Sequence, residues 1–332
     1  MNKVASITYR HMPVMLKFGV ITVLMSILVA CNDDDIQPSP QSAGNSNSNV
    51  SMLGTADTRS YGEVVQLGYV KAVTEGSESL RDAACRLEIP RLNGGADNLF
   101  VVHTTKDYGI NYCIEWNCSL RAQYWSAFRW DKSNSVTHTS RTNQWAEDPL
   151  IPISYRSTLA DHSNNGYDRG HILGSQDRVN SYEANAQTFY MSNMHPQLNG
   201  FNSGDGRSNW YTLELRLRDR YNRDSFRDTL YVVKGGTISQ GMYKKAKNNL
   251  PVPNYFFMAV LRKKNSDPTQ GGYAAVGFWM EHKSNTDSNV KNYAVSIDEL
   301  EELTGIDFFC NLPDNVEALV EKNFSSALWG LN

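Results

Sequence analysis

The sequence predicts an α+β fold: a largely antiparallel sheet with helices packed on it. Three observations carry this expectation. Aromatic and β-branched runs recur between residues 98 and 280, with strand-like alternation rather than helical spacing. Helical signals are confined to a few short stretches, and the clearest is marked at both ends, by Ser296 with Glu299 and by Gly305. No internal repeat is present, so one core is expected from about residue 90 to 330.

The first sixty residues stand apart from that core. Lys3, Arg10 and Lys17 precede an apolar run, Phe18–Ala30, that is too short for a comfortable membrane span. The run ends in Leu28-Val29-Ala30-Cys31, which resembles the lipobox of a bacterial lipoprotein signal. That resemblance implies a signal peptide over 1–30, cleavage before Cys31 and acylation of its thiol; a plain secretory signal is the competing reading. The acidic run Asn32-Asp33-Asp34-Asp35 looks like the tag that places lipoproteins on the surface of some Gram-negative cells. The expected location is therefore the outer membrane, reached by a lipid anchor. Residues 36 to about 60 are rich in Ser, Asn, Gln and Pro and read as a flexible tether, because they hold too little apolar surface to offset ordering. Residues 61–94 read as an N-terminal extension of the domain that follows.

The chain has 332 residues, 40% apolar and 20% charged, and a net charge of -3. These values are those of a globular protein, and they exclude a global positive field; contact with a polyanion requires a local patch. With Cys31 taken by lipid, Cys85, Cys113, Cys118 and Cys310 remain. An even number in an oxidising compartment suggests two disulfides. Cys113 and Cys118 enclose a short loop and are the expected pair, leaving Cys85 with Cys310. A zinc site competes poorly, since the spacing lacks a C-x2-C pair.

Taken in order, Ser77–Arg86 suits a short helix. Leu99–His103 and two runs between Cys113 and Trp130 suit strands. A polar stretch containing Arg141 follows, and Pro149 and Pro152 forbid a helix after it. The turn signal Asn164-Asn165-Gly166 delivers the chain into Tyr167-Asp168-Arg169-Gly170-His171. After the apolar run Thr188–Met194 comes Pro196-Gln197, then Asn202 and a Ser-Gly-Asp-Gly loop. Trp210, Leu213 and Leu217 then recur at helical spacing, with Glu214 and Arg218 one turn apart on one face. Tyr231–Thr237, Pro253–Leu261 and Tyr273–Met280 suit strands; Ser296–Gly305 and Val316–Leu328 suit helices.

An arginine and a histidine around a glycine, followed by Asn, Glu and Arg, suit metal-assisted cleavage of a phosphodiester. Neutral imidazole takes a proton from water, a hard cation stabilises the leaving oxygen, and arginines neutralise phosphate oxygens. Singly, each residue is more often structural: a histidine in a hydrogen-bonded core, an asparagine in a turn, a Glu/Arg pair on a surface. Jointly, they resemble the DNA/RNA non-specific endonuclease family, the sugar-non-specific nucleases with a ββα-metal site. The matching residues are Asp168-Arg169-Gly170-His171, Ser192-Asn193 with Pro196-Gln197, Asn202, Trp210, Leu213 with Glu214, and Arg218. Gly235-Gly236-Thr237, Pro253, Glu302–Ile306 and Leu312-Pro313 fit its second half. The resemblance covers about residues 95 to 328.

It implies His171 as general base, Asn202 as ligand of one divalent ion (magnesium, with manganese admissible) and Glu214 holding an ion-bound water. It also implies Arg169 and Arg218 on the scissile phosphate, Asn193 orienting the site, and DNA and RNA as partners bound through phosphates. Arg141 and Arg207 are candidates for further phosphate contacts. Arg216, Arg220, Arg223 and Arg227, joined by Lys244, Lys245 and Lys247, could extend a basic track or form a solvated face. Two departures from the family pattern are the loop containing Gly204–Arg207, which is longer than usual, and Gln176, where a small residue is usual. A catalytically weak, nucleic-acid-binding surface lipoprotein is the alternative reading.

Overall fold

The computed structural model describes residue 45 and residues 47–54, 62–285 and 289–332. The expected signal segment and Cys31 lie outside the described residues. Among the described residues no helix is long and apolar enough to cross a membrane.

The chain opens with β1 (Val65–Leu67), β2 (Val70–Thr74) and α1 (Leu80–Ala84), then the long strands β3 (Asn98–Thr105), β4 (Gly109–Asn117) and β5 (Ala122–Trp130). A long irregular stretch leads to β6 (Asp168–His171), α2 (Tyr182–Gln187), β7 (Met194–Gln197), α3 (Asn199–Asn202) and α4 (Asn209–Arg216). The chain returns through β8 (Thr229–Gly236), β9 (Tyr243–Lys245), β10 (Pro251–Pro253), β11 (Tyr255–Lys263), β12 (Tyr273–Glu281) and β13 (Ala294–Val295). It ends in α5 (Ile297–Thr304), α6 (Asp314–Lys322) and α7 (Ser326–Trp329).

Among the described residues, nine strands form one sheet in the order β1-β2-β3-β4-β5-β8-β11-β12-β13, and the only parallel pair in it is β2 with β3. This is the α+β, mainly antiparallel architecture expected. The expectation of a single core is corrected. The central strands are apolar on both faces, so the sheet separates two cores. Tyr231 and Val233 of β8, with Phe257, Ala259 and Leu261 of β11, point to one side. Leu230 and Val232, with Phe256, Met258 and Val260, point to the other. Strand alternation requires this, since successive side chains leave opposite faces. The first core is closed by α1, α5 and α6, and the second by Ile172, Leu173 and the Trp210, Leu213 and Leu217 stripe.

Residues 47–54 differ from the expected tether. Asn49 is fully buried: its amide donates to Ala84 O (2.9 Å) and Pro90 O (3.1 Å), and its Oδ1 accepts from Leu92 N (3.0 Å). Met52 and Leu53 enter the first core beside it. A polar-looking segment is thus held in part by an asparagine whose hydrogen bonds are met only in the fold. β1 and β2, within the stretch read as an extension, join the main sheet through β3.

Neither expected disulfide forms: Cys113, Cys118 and Cys310 are free and buried. Cys113 faces the first core and Cys118 the second. An odd separation along extended chain puts two side chains on opposite faces, which rules out the short-loop bridge. The Cys310 thiol instead lies 3.7 Å from Ile89 O, to which it donates. The expected last helix also divides. Asn323 is extended at φ -150, and Ser325 Oγ caps α7 by accepting from Leu328 N at 3.2 Å. The break lets Trp329 insert fully into the second core.

His195 of β7 is buried, with Nε2 3.2 Å from Gln123 O. Burial first, then His162, lowers its pKa to about 3 from 6.5. A depressed histidine pKa means that the unfolded chain binds the proton first, so stability falls as pH drops from about 6.5 toward 3. Urea melts at pH 7 and pH 4.5 should therefore show a smaller acid loss in His195→Gln than in wild type, by roughly 1–2 kcal/mol. Equal losses would refute the assignment.

Candidate active site

The site is built on a strand pair followed by helices. β6 and β7 run antiparallel, with Asp168 opposite Gln197, Gly170 opposite His195 and His171 opposite Met194. Gly170 is required there, because a Cβ would lie 2.1 Å from the Gln197 side chain. From β7 the chain enters α3, which ends at Asn202. A loop with Gly204, Asp205 and Gly206 all at positive φ then turns it into α4. Ser208 caps α4, its Oγ accepting from Tyr211 N at 3.1 Å.

The Asp168 carboxylate accepts from the Asn199 amide (3.0 Å) and the Asn202 amide (3.1 Å). The Asn202 nitrogen is thereby committed, and its Oδ1 is the atom left for a ligand. His171 stands half-buried against Trp145 (ring centroids 5.4 Å apart) and Phe189 (4.9 Å), which also touch each other. Burial, then the charges of Arg141 and Lys234, lower its pKa to about 3, against a hydrogen bond to the Arg169 backbone that raises it. Nε2 is buried and has no hydrogen-bond partner among the described residues. The imidazole is therefore neutral at pH 7, the state a general base needs.

Asn193 is fully buried and fully used. It donates to Leu173 O (2.9 Å) and Thr188 O (2.8 Å) and accepts from Leu173 N (3.0 Å) and Ser126 Oγ (3.1 Å). It touches no open space, so what it does is hold the chain just after His171. Its neighbour Ser192 donates to Asp148 (2.5 Å), which also bonds His103 (2.9 Å).

Beneath the site lie four alternating charges. Lys234 Nζ is 2.5 Å from Glu214 Oε1 and 4.0 Å from Asp177 Oδ2, and Arg218 Nη1 is 2.9 Å from Asp177 Oδ1. Burial and Asp177 raise the Glu214 pKa, while Lys234 and Arg218 act against them. Asp177 first, then Glu214, raise that of Arg218 against the cost of its burial. Glu214 and Arg218 do not pair directly, despite their spacing. The helix changes from α to π winding at Leu217, and each residue takes a partner from outside the helix.

The comparisons with known proteins give the chain a family. The model of the DNA/RNA non-specific endonuclease family matches residues 101–315. The chain belongs to that family. A nuclease from Nostoc is 30% identical over 213 residues, covering 63% of this chain and 75% of its own. Nuclease C1 of Cunninghamella echinulata is 33% identical over 180 residues, covering 51% and 68%. The human mitochondrial nuclease EXOG is 28% identical over 221 residues, covering 61% and 56%. In fold, the chain resembles the crystal structure of the EndoG/EndoGI complex at a TM-score of 0.53 and 22% identity, covering 66% of this chain and 89% of that one. Membership makes the protein a nuclease that acts on nucleic acids, in a family that uses a divalent cation.

The arginines of this endonuclease divide. The Arg169 guanidinium lies 5.0 Å from the Trp145 ring centroid and donates to Ser163 Oγ (3.1 Å). Arg141 lies 4.7 Å from the centroid of Phe189, the ring that flanks His171, and donates to Ser175 Oγ (2.7 Å). Both are thus brought beside His171. Arg207 is exposed on the long loop, and no hydrogen bond ties it to the site among the described residues. Of the wider basic cluster, Arg227 is 1% exposed and held by Asp224, Asn222 and Ser135, so it cannot follow a phosphate backbone. Arg216 is committed to Gly330 O (2.8 Å).

Sequence reasoning missed Lys234, Asp168 as the orienter of Asn202, Asp177 and Trp145. One signal for Lys234 was available: it is a lone cation in the apolar run Tyr231-Val232-Val233. A lysine in a central strand, closed off on both faces, needs a buried counter-charge. Replacing it isolates the carboxylate above it. Lys234→Met should cost roughly 3–5 kcal/mol in urea melts and lower kcat with KM little changed; a Lys234→Met/Glu214→Gln double variant should recover part of the stability. A single variant as stable and active as wild type would remove Lys234 from the site.

Proposed function

We propose that this endonuclease hydrolyses phosphodiester bonds of both DNA and RNA with the help of one divalent ion, magnesium first, and with His171 as general base. The observation that carries the reading is the pairing, within one strand-strand-helix unit, of a neutral His171 with an unengaged Nε2 and an Asn202 with an uncommitted Oδ1. The donor set fits such an ion: one neutral oxygen, with waters completing the shell, suits a cation that gives up its water reluctantly. When bound, the ion supplies charge stabilisation for the leaving oxygen.

The chain's own groups do the rest. His171 takes the proton of the attacking water on its imidazole. Asp168 keeps Asn202 turned with its carbonyl oxygen outward. Glu214, fixed at Oε1 by Lys234, has its second oxygen for a water of the ion's shell. Arg169 and Arg141 border the histidine and suit the non-bridging phosphate oxygens. Arg218, tied to Asp177, contributes positive charge from beneath. We further place the enzyme outside the cytoplasm, on the lipobox ending at Cys31. Loss of radiolabelled palmitate and of membrane association in Cys31→Ala is the expected result there.

Plasmid and RNA digestion test the mechanism. EDTA should abolish both activities, and His171→Ala should lower kcat by about 10²–10⁴-fold without unfolding the protein. Activity that survives the chelator and the substitution would overturn the assignment. A wild-type protein that binds nucleic acid but cleaves neither substrate would instead support the binding-only reading. Asp168→Ala should raise the magnesium concentration for half-maximal activity by about 10–100-fold, with near-normal activity at saturation.

A further inference from the structure

The sheet face opposite the nuclease site carries α5 and α6. Asp298 and Glu301 of α5 and Glu321 of α6 each bring one carboxylate oxygen to within 4.8 Å of the others. Glu321 is only 6% exposed, and its Oε1 has no hydrogen-bond partner. Glu301 Oε1 accepts from Phe308 N at 2.7 Å, which leaves its second oxygen uncommitted. Asp307 and Glu317 stand nearby and share the Asn47 amide, at 3.1 Å each. Among the described residues no lysine or arginine forms an ion pair with Asp298, Glu301 or Glu321.

A buried carboxylate oxygen with no donor is costly unless a proton or a cation satisfies it. We propose that Asp298, Glu301 and Glu321 hold a divalent cation, calcium by preference, that ties α5 to α6 and stabilises the face behind the nuclease site. Calcium accepts an irregular shell of oxygen ligands, whereas magnesium demands an octahedron. Three hard carboxylate oxygens from two helices suit an irregular calcium shell. Asp298 is exposed, so the ion has a route in and room for waters. A site of this kind links two elements separated in sequence, and its binding energy adds to the stability of the fold.

Calorimetric scans of the full chain in calcium chloride and in EDTA test this. Millimolar calcium should raise Tm by about 5 °C in wild type. The rise should persist in Asn202→Ala, which alters only the nuclease site, and should vanish in Glu321→Gln. Asp298→Asn, at an exposed position that tolerates the change, should weaken calcium binding by at least about tenfold in titration calorimetry. Its magnesium-dependent plasmid nicking should match wild type, which separates this site from the nuclease reading. A Tm indifferent to calcium, or an equal rise in Glu321→Gln and Asp298→Asn, would mean that protons alone satisfy the cluster and would overturn the proposal.

Discussion

The contact between Lys234 and Glu214 joins the large sheet to the helix that covers one of its faces. Lys234 leaves the centre of the large sheet, and Glu214 hangs from the helix that covers it, at 2.5 Å. Neither charge is tolerable alone in that setting, since each has given up water for a low-dielectric interior. Each therefore fixes the other. Asp177 and Arg218 extend the pattern so that four alternating charges neutralise one another beneath the site. A helix that shifted on the sheet would strand at least one of them, which pins the helix bearing Glu214 in place.

The same economy governs the neutral groups. Asp168 uses its carboxylate on two amides, which leaves the Asn202 oxygen outward. Asn193 uses all of its hydrogen-bonding capacity on backbone and serine around Leu173 and holds His171 by its own chain. Trp145 and Phe189 pack against the imidazole and carry Arg169 and Arg141 on their faces. The aromatic walls dehydrate the histidine, and the two arginines add positive charge beside it. Both effects favour the uncharged ring. Positioning by committed groups, with one free atom left on His171 and one on Asn202, is how a site is held in readiness for a transition state.

Local signals with a local cause were legible in the sequence. Ser296, Glu299 and Gly305 bounded α5 because capping is settled within one turn of chain. The strand runs were legible because alternation and aromatic content are properties of adjacent residues. Features that need a distant partner were not. Asn49 looked like linker because its three hydrogen bonds end at Ala84, Pro90 and Leu92. Cys113 and Cys118 looked like a pair because sequence distance was read without the strand between them. Arg227 looked like surface charge, although its counter-groups Asp224, Asn222 and Ser135 bury it.

By itself, the sequence determined the α+β class and the family, since motif spacing and strand patterning are one-dimensional facts. The tertiary structure decided what each residue does. It made Asn193 a strut and Asp168 an orienter, and it separated Glu214 from Arg218 by giving each a partner from the sheet or from a remote turn. It divided one expected core into two. The physical reason is common to all of these. Burial and charge compensation depend on which groups become neighbours, and in a nine-stranded sheet most neighbours come from far along the chain.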